Sequence, residues 1–240
     1  MRAIEKVSEA GYLTVYSFVY SMSHVMFHIV LPFQGDGGSM KVPFRQQVSD
    51  YDCVPTSLIN ALCYLFDRKD IPPFVVHRAY KDCLDVEASR GTSSRAIQDI
   101  GFWLKNYKEK KFSKFAVESK YISGDQVHLK ESSKILRFLN ANGVALLYVN
   151  LSRNIRHCIL GLWSEDGWIY CYDPSPISKR FIDYDAVQLL DTPGKQDPNV
   201  RISFTWLEKN LKIAKNHGEC RYVFGNKNER ECLLLNRIRE

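Results

Sequence analysis

Cys53 lies at the predicted start of a helix, a position at which a thiol can become a nucleophile. Pro55 suits the first turn of a helix, and Thr56 or Ser57 supplies an early capping oxygen. Apolar residues then recur at spacings of three and four, the stripe of a helix buried on one face: Leu58, Ile59, Leu62, Leu65 and Phe66. The unpaired N–H groups and the dipole at a helix start stabilise a thiolate. The alternative interpretation is an unreactive core cysteine, because free cysteines are among the most buried residues.

His157 and Asp173 supply what a cysteine nucleophile needs, a base and a partner that fixes the ring of the base. His157 lies near the start of a predicted strand at 155–163, and Asp173 ends the next predicted strand, at 168–173. A hairpin loop at 164–167 joins the two strands. Both side chains are therefore expected at one rim of a sheet, where a helix start can meet them.

The predicted register of this hairpin pairs Trp163 with Trp168, and counting back sets His157 opposite Pro174. Asp173 is then within one residue of facing His157, a separation that hydrogen-bonding side chains span. The alternative interpretation treats both as ordinary rim residues. His157 is then packed for stability and Asp173 opens a turn, since Asp-Pro is a common turn opener.

The remaining elements predict an α+β fold, with a helical N-terminal half followed by an antiparallel sheet. Helices are predicted at 74–84, 97–107, 135–139 and 206–215. The last three have predicted caps, which lie within 90–94, at Ser132 or Ser133, and at Ser203 or Thr205. Predicted strands, besides the hairpin, are a short one within 112–127 and others at 144–151, 180–184 and 221–224. Residues 142–143 are expected to end the helix at 135–139 in a left-handed turn.

Composition limits the classes of function that the chain can have. Its 240 residues, 45% of them hydrophobic, suffice for one domain with a full core, with or without appendages. Seven cysteines without a CxxC pair argue against a disulfide framework and a structural zinc site, and favour a cytoplasmic location. His24 and His28 lack a third ligand, so we expect no metal and no other cofactor. The net charge of +6 is modest, and Glu109 and Glu118 dilute the basic stretch at 105–120, so we expect no nucleic-acid partner.

The N-terminal segment at 11–33 contains no Asp, Glu, Lys or Arg, and its length is enough to reach across a bilayer. Three interpretations stay open: an uncleaved membrane anchor or export signal, an extra helix or strand pair, or sequence outside the domain. The last arises because GDGGS at 35–39 is typical of a flexible linker running into Met40. The first leaves membrane association and an exported or membrane-anchored location open. We therefore divide the chain into an N-terminal extension, 1–39, and a main domain, 40–240.

A resemblance to a known family follows from the order of these motifs. The segment at 47–53 resembles the nucleophile motif of the double-glycine leader peptidases. It has Gln47, five intervening residues and then Cys53, with an acidic residue just before the cysteine. These cysteine-peptidase family 39-like, papain-like domains cut bacteriocin precursors and are often fused to ABC transporters. Further motifs occur in the family's order: Gly91-Thr92-Ser93 before a helix, 135–143 before a strand, His157 in a β run, and Asp173-Pro174. The resemblance covers about 42–184.

The resemblance implies a papain-like fold for 40–240, in which the nucleophile helix packs on the antiparallel sheet. It implies that Cys53 is the nucleophile, His157 the base and acid, and Asp173 the orienting carboxylate of a catalytic triad. Gln47 would donate its amide to an oxyanion hole, together with the backbone N–H of Cys53; Gln46 would take this role if the register slips.

The expected function is therefore that of a thiol protease, a cysteine hydrolase that cleaves an amide bond of a peptide or protein substrate through an acyl thioester. Two alternatives stay open: the same triad used for glutamine deamidation or another acyl transfer, and a catalytically silent module that binds a peptide. The chain departs from the family at Val54 and Arg156, where the family often has glycine. Neither the substrate sequence nor the oligomeric state is predicted.

Overall fold

The computed structural model describes residues 41–85, 91–152, 155–176, 185–191, 194–210 and 222–238, and the backbone of two short N-terminal strands. The chain divides into two compact units, Met1–Ser39 and Met40–Glu240. In the first unit, strands β1 (Lys6–Val7) and β2 (Leu13–Thr14) pair antiparallel. The interpretations of 11–33 and 35–39 concern residues that lie almost entirely outside the described ones, so the roles assigned to 1–39 and 40–240 stay predictions. Among the described residues, no helix has both the length and the apolar character needed to cross a membrane.

The second unit is a mixed helix and antiparallel-sheet structure, which confirms the predicted α+β class. Its described helices are α1 (Cys53–Leu65), α2 (Pro73–Cys83), α3 (Ser94–Asn106), α4 (Lys134–Asn140) and α5 (Phe204–Leu207). Its described strands are β3 (Val117–Ser123), β4 (Val144–Ser152), β5 (Ile155–Glu165), β6 (Trp168–Tyr172), β7 (Val187–Leu189), β8 (Val200–Ser203) and β9 (Glu231–Arg237). In the described part of the chain, these strands form one sheet in the order β3-β9-β4-β5-β6-β8-β7, and every neighbouring pair is antiparallel.

Three helices, α3, α4 and α5, begin at a serine that lies among the residues predicted to cap them. The Ser93 side chain accepts a hydrogen bond from the Ala96 N–H at the start of α3, and Ser133 does the same for α4. Ser203 caps α5 by accepting from the Trp206 N–H. After α4 the chain turns through Asn142, whose φ of 58° lies in the left-handed region. These ends are predictable because a cap needs only one side chain and the backbone beside it.

Helix α1 differs from its prediction at its start and in its burial. It begins at Cys53 with Asp52 as the N-cap, so Thr56 and Ser57 lie one turn inside it, and the prediction that either caps the helix was wrong. Their hydroxyls instead hold neighbouring groups: Thr56 donates to the Asp52 carboxylate, and Ser57 donates to the backbone carbonyl of Cys158 in β5. Twelve of the 13 residues of α1 are buried, because the helix packs against both α2 and the sheet rather than on one face alone.

The sheet has an apolar core on each face, and the central strands alternate between them. On the α1 side lie Leu146, Tyr148, Cys158 and Leu160, and on the other side lie residues that include Leu147, Val149 and Ile159. Because both faces are covered, β4 and β5 appear in the sequence as continuous apolar runs instead of alternating patterns. Their positions were predicted correctly at 144–151 and 155–163, to within two residues at each end.

Beyond β6, the described elements differ from the sequence predictions. Helix α5 ends at Leu207, whereas the predicted helix ran from 206 to 215, and residues 211–215 lie outside the described ones. The predicted strand at 221–224 is wrong in its described part: Val223 makes only an isolated bridge to Asn150, because Tyr222 before it has a left-handed φ of 58°. Strands β7, β8 and β9 were not predicted. The predicted strand at 180–184 also lies outside the described residues.

Candidate active site

Cys53 is the first residue of α1, at the end where the backbone N–H groups of the helix have no helical partners. The helix is joined to β5 one turn later, where the Ser57 hydroxyl donates to the Cys158 carbonyl over 3.2 Å. Cys158 directly follows His157 in the chain. The bond from Ser57 therefore brings the thiol of Cys53 to the part of β5 that carries the histidine.

His157 lies in β5, where its ladder partner is Val149 of β4. The predicted register of the β5–β6 hairpin was wrong. Its turn is the two residues Asp166 and Gly167, both with positive φ, as tight hairpin turns require, so Trp163 pairs with Tyr170. A bulge between Gly161 and Trp163 then shifts the register again, and the ladder ends at the pair Leu160–Tyr172.

His157 and Asp173 meet beyond the end of this ladder. His157 Nε2 lies 2.7 Å from Asp173 Oδ1, and both side chains are buried. The Ser175 N–H donates to the same oxygen over 2.8 Å, and the Tyr222 hydroxyl donates to Oδ2. Because Oδ1 already accepts from the Ser175 N–H, we assign it as the acceptor from His157 as well, with the hydrogen of their bond on Nε2. The other ring nitrogen, Nδ1, is the one left for Cys53.

The Cys53 side chain lies close enough to the His157 ring to raise the pKa of the histidine, so the structure brings the three predicted side chains together. Burial, the largest single effect, lowers the pKa of His157. The negative charge of Asp173, its hydrogen bond and the contact with Cys53 outweigh burial and raise that pKa from 6.5 to about 10. The ring is therefore cationic at neutral pH. A buried imidazolium between a carboxylate and a thiol is suited to stabilising a thiolate and then to protonating a leaving group.

Gln47 is brought to the site through its backbone, but its side chain is engaged elsewhere. Its N–H donates to the carbonyl of Pro174, next to Asp173, over 2.8 Å. Its Nε2 donates to the Ser49 carbonyl over 2.8 Å, and its buried Oε1 has no hydrogen-bond partner among the described residues. One N–H of the amide is left to act as the predicted oxyanion donor. Gln46, the alternative donor, is exposed.

Asp52 shapes the loop that leads into Cys53. Its buried carboxylate accepts hydrogen bonds from the Val48 N–H, the Ser49 N–H and hydroxyl, and the Thr56 hydroxyl. Burial alone raises the pKa of Asp52, but the hydrogen bonds from Val48, Ser49 and Thr56 together hold it below its usual value. The loop between Gln47 and the nucleophile is thus closed around a buried anion.

Two residues that support the site had no signal in the sequence. Asn199 holds the backbone of Asp173 from both sides: its Oδ1 accepts from the Asp173 N–H over 2.7 Å, and its Nδ2 donates to the Asp173 carbonyl over 2.8 Å. Tyr222 reaches the carboxylate itself. They lie 26 and 49 residues beyond Asp173, in segments without a regular apolar pattern, so no spacing rule links them to it.

The two departures from the family motif have ordinary structural roles here. Val54 is buried in the core on the α1 side of the sheet. Arg156 pairs with Glu231 over 2.9 Å, donates to the Glu229 carbonyl, and lies over the ring of Tyr148. Among the described residues, no cluster of three or more His, Cys, Asp or Glu side chains could hold a metal ion. His24 and His28 lie outside those residues.

No protein-family model matches the chain, and no curated protein matches it significantly. Membership of the double-glycine leader peptidases therefore stays a prediction from the motif order.

Proposed function

We propose that the second unit is a papain-like cysteine hydrolase, and specifically a peptidase, with Cys53 as the nucleophile. The observation that carries the proposal is the buried contact of 2.7 Å between His157 Nε2 and Asp173 Oδ1, next to a helix start at Cys53 that Ser57 ties to the strand carrying the histidine. A histidine packed only for stability needs a hydrogen-bond partner, but it does not need a neighbouring cysteine at the start of a helix. The helix start at Cys53 and the antiparallel sheet that carries His157 agree with such a fold.

The chemistry follows from this arrangement. The Cys53 thiolate attacks the carbonyl carbon of the scissile amide, and the oxygen that becomes negative is met by the Cys53 N–H and the free N–H of the Gln47 amide. The protonated Nδ1 of His157 then gives its proton to the leaving amine, which leaves an acyl thioester on Cys53. In the second half, neutral His157 takes a proton from water as the water attacks the thioester. The acyl carbon–sulfur bond then breaks, which releases the carboxylic acid product and restores the Cys53 thiolate beside protonated His157. Asp173 keeps the ring oriented throughout.

Selective alkylation tests the nucleophile, and Cys63 supplies a matched comparison. Cys53 and Cys63 lie on the same helix with nearly equal exposure, 8% and 7%, so accessibility alone predicts equal labelling. Burial raises the pKa of the Cys63 thiol, and it does the same for four further buried cysteines: Cys83, Cys158, Cys171 and Cys232. At neutral pH we expect iodoacetamide to label Cys53 at least tenfold faster than these five, since only a thiolate reacts.

The variant Cys53→Ala should abolish this fast labelling, whereas Cys63→Ala should leave it unchanged. If Cys53 labels no faster than Cys63, the proposal fails. Incubation with a mixed peptide library, followed by mass spectrometry, then identifies the reaction. Cleaved peptides that are absent with Cys53→Ala support a peptidase. Intact peptides in which glutamine has become glutamate would show deamidation instead.

A further inference from the structure

We propose that Tyr222 is a positioning residue that acts on His157 through the Asp173 carboxylate. Its hydroxyl donates to Oδ2, the oxygen that does not face the histidine. The inference rests on the proposed function for its catalytic consequence. The contact itself, and its effect on the ring, are independent of which reaction the site performs.

The residue that makes this contact, Tyr222, has an unfavourable backbone conformation. Its φ of 58° lies in the left-handed region, which a bulky aromatic residue rarely adopts. Strain of this kind persists only where the surrounding structure enforces it, and it is concentrated at functional sites. Here the ring is buried in the core on the His157 side of the sheet, and the hydroxyl at its tip ends on the carboxylate.

The segment that follows Tyr222 is fixed by the strand that pairs with His157. Asn150 in β4 exchanges backbone hydrogen bonds with Val223, and its side-chain Nδ2 donates to the carbonyls of Val223 and Phe224 over 3.2 and 3.1 Å. Its neighbour in β4, Val149, is the ladder partner of His157. His157 and Tyr222 are therefore connected in two ways. One connection runs through strand β4, and the other runs through the Asp173 carboxylate, which contacts both side chains. Movement of Tyr222 is therefore tied to movement of the histidine.

The hydroxyl acts in two ways. Together with the Ser175 N–H and His157 Nε2, it fixes the plane of the carboxylate by binding both oxygens. It also draws negative charge away from the oxygen facing His157, because a hydrogen-bond donor stabilises the charge on a carboxylate. Without the Tyr222 hydroxyl, the Asp173 carboxylate should attract the protonated His157 ring more strongly, and it should hold the orientation of that ring less rigidly. The first effect changes the titration of His157, and the second slows steps in which the ring must be aligned.

The variant Tyr222→Phe tests both effects, since it keeps the buried ring and removes only the hydroxyl. In the full chain carrying Cys53→Ala, so that His157 titrates without the thiol, an NMR pH titration of the His157 Cε1–H should show the midpoint raised by roughly half a unit to one unit. Tyr172→Phe is the matched control. It removes a phenol hydroxyl from the neighbour of Asp173 whose ring packs on Phe44, and it should leave the midpoint unchanged. An unchanged or lowered midpoint in Tyr222→Phe overturns the inference.

In the chain with Cys53 intact, turnover of p-nitrophenyl acetate measures the catalytic consequence. Hydrolysis of the acetyl thioester needs an aligned base, so Tyr222→Phe should retain the burst of p-nitrophenol and lower the steady-state rate about tenfold. A steady-state rate equal to that of the native chain refutes the positioning role. If the native chain shows no turnover that depends on Cys53, the proposed hydrolase function fails. The titration then still decides whether Tyr222 controls His157.

Discussion

Replacing Asp173 with Asn should convert His157 from a cation into a neutral ring at pH 7. Asp173 supplies the main influence that raises the pKa of His157, whereas burial lowers it. Without the charge, burial dominates, and we expect the pKa of His157 to fall below 6.5. The shape of the site should survive the substitution. An Asn oxygen can still accept from His157 and Ser175, and the Tyr222 hydroxyl can rotate to accept from the new amide.

The size of the effect follows from the pKa of His157. The difference between 6.5 and about 10 corresponds to a preference of the folded site for the imidazolium on the order of 5 kcal/mol. Most of that preference should disappear in Asp173→Asn, because the remaining contacts do not include a full charge. A neutral ring cannot pair with a thiolate. Alkylation of Cys53 at pH 7 should therefore slow by at least tenfold, a loss of about 1.4 kcal/mol or more in activation free energy.

The assay combines an NMR titration of His157 with the rate of iodoacetamide labelling of Cys53. Asp166→Asn is the matched control: it removes the same charge from the exposed turn of the same hairpin, and Asn tolerates the left-handed φ of 48° at that position. It should change neither quantity. If His157 of Asp173→Asn still titrates near 10, or if labelling of Cys53 keeps its native rate, the electrostatic argument for this site is wrong.

Three further outcomes follow from the same contacts. Because the pKa of His157 is higher in the folded chain than in the unfolded one, its contribution to the free energy of unfolding is complete below about pH 6.5 and is lost as pH rises towards 10. Denaturant unfolding at several pH values should therefore show stability falling over this range. The variant His157→Gln should show a weaker dependence on pH. Asn199→Ala should lower the free energy of unfolding by about 1–3 kcal/mol, since it leaves the N–H and carbonyl of Asp173 without their partners; an unchanged denaturation midpoint would count against this. Asp52→Ala should lower the free energy of unfolding by about 2–4 kcal/mol and should slow the labelling of Cys53, because the loop at Ser49 loses its buried acceptor. Native stability together with a native labelling rate would contradict the role of Asp52 in holding this loop.

The parts of the fold that were predictable depend on short-range signals. The caps of α3 and α4 could be predicted to within a few residues, because Ser93 and Ser133 each interact with backbone two or three residues away. Strands β4 and β5 could be located from apolar runs of the right length. The register of the β5–β6 hairpin could not be predicted. It depends on the tight Asp166–Gly167 turn and on a bulge near Gly161. Each of these changes which residues of β5 and β6 face one another, and residue types alone do not show where a bulge occurs or how many residues form the turn.

The candidate site divides in the same way. Cys53, His157 and Asp173 carry reactive atoms in their side chains, so their residue types and their order along the chain were enough to select them. Asn199 acts on the backbone of Asp173, and Asn150 on the backbone beside Tyr222; any segment could have supplied those peptide groups. Such partners have no signature in residue type or spacing, and they become visible only when the chain has folded. They nevertheless decide where the Asp173 carboxylate lies relative to His157, and therefore whether the predicted side chains can work together.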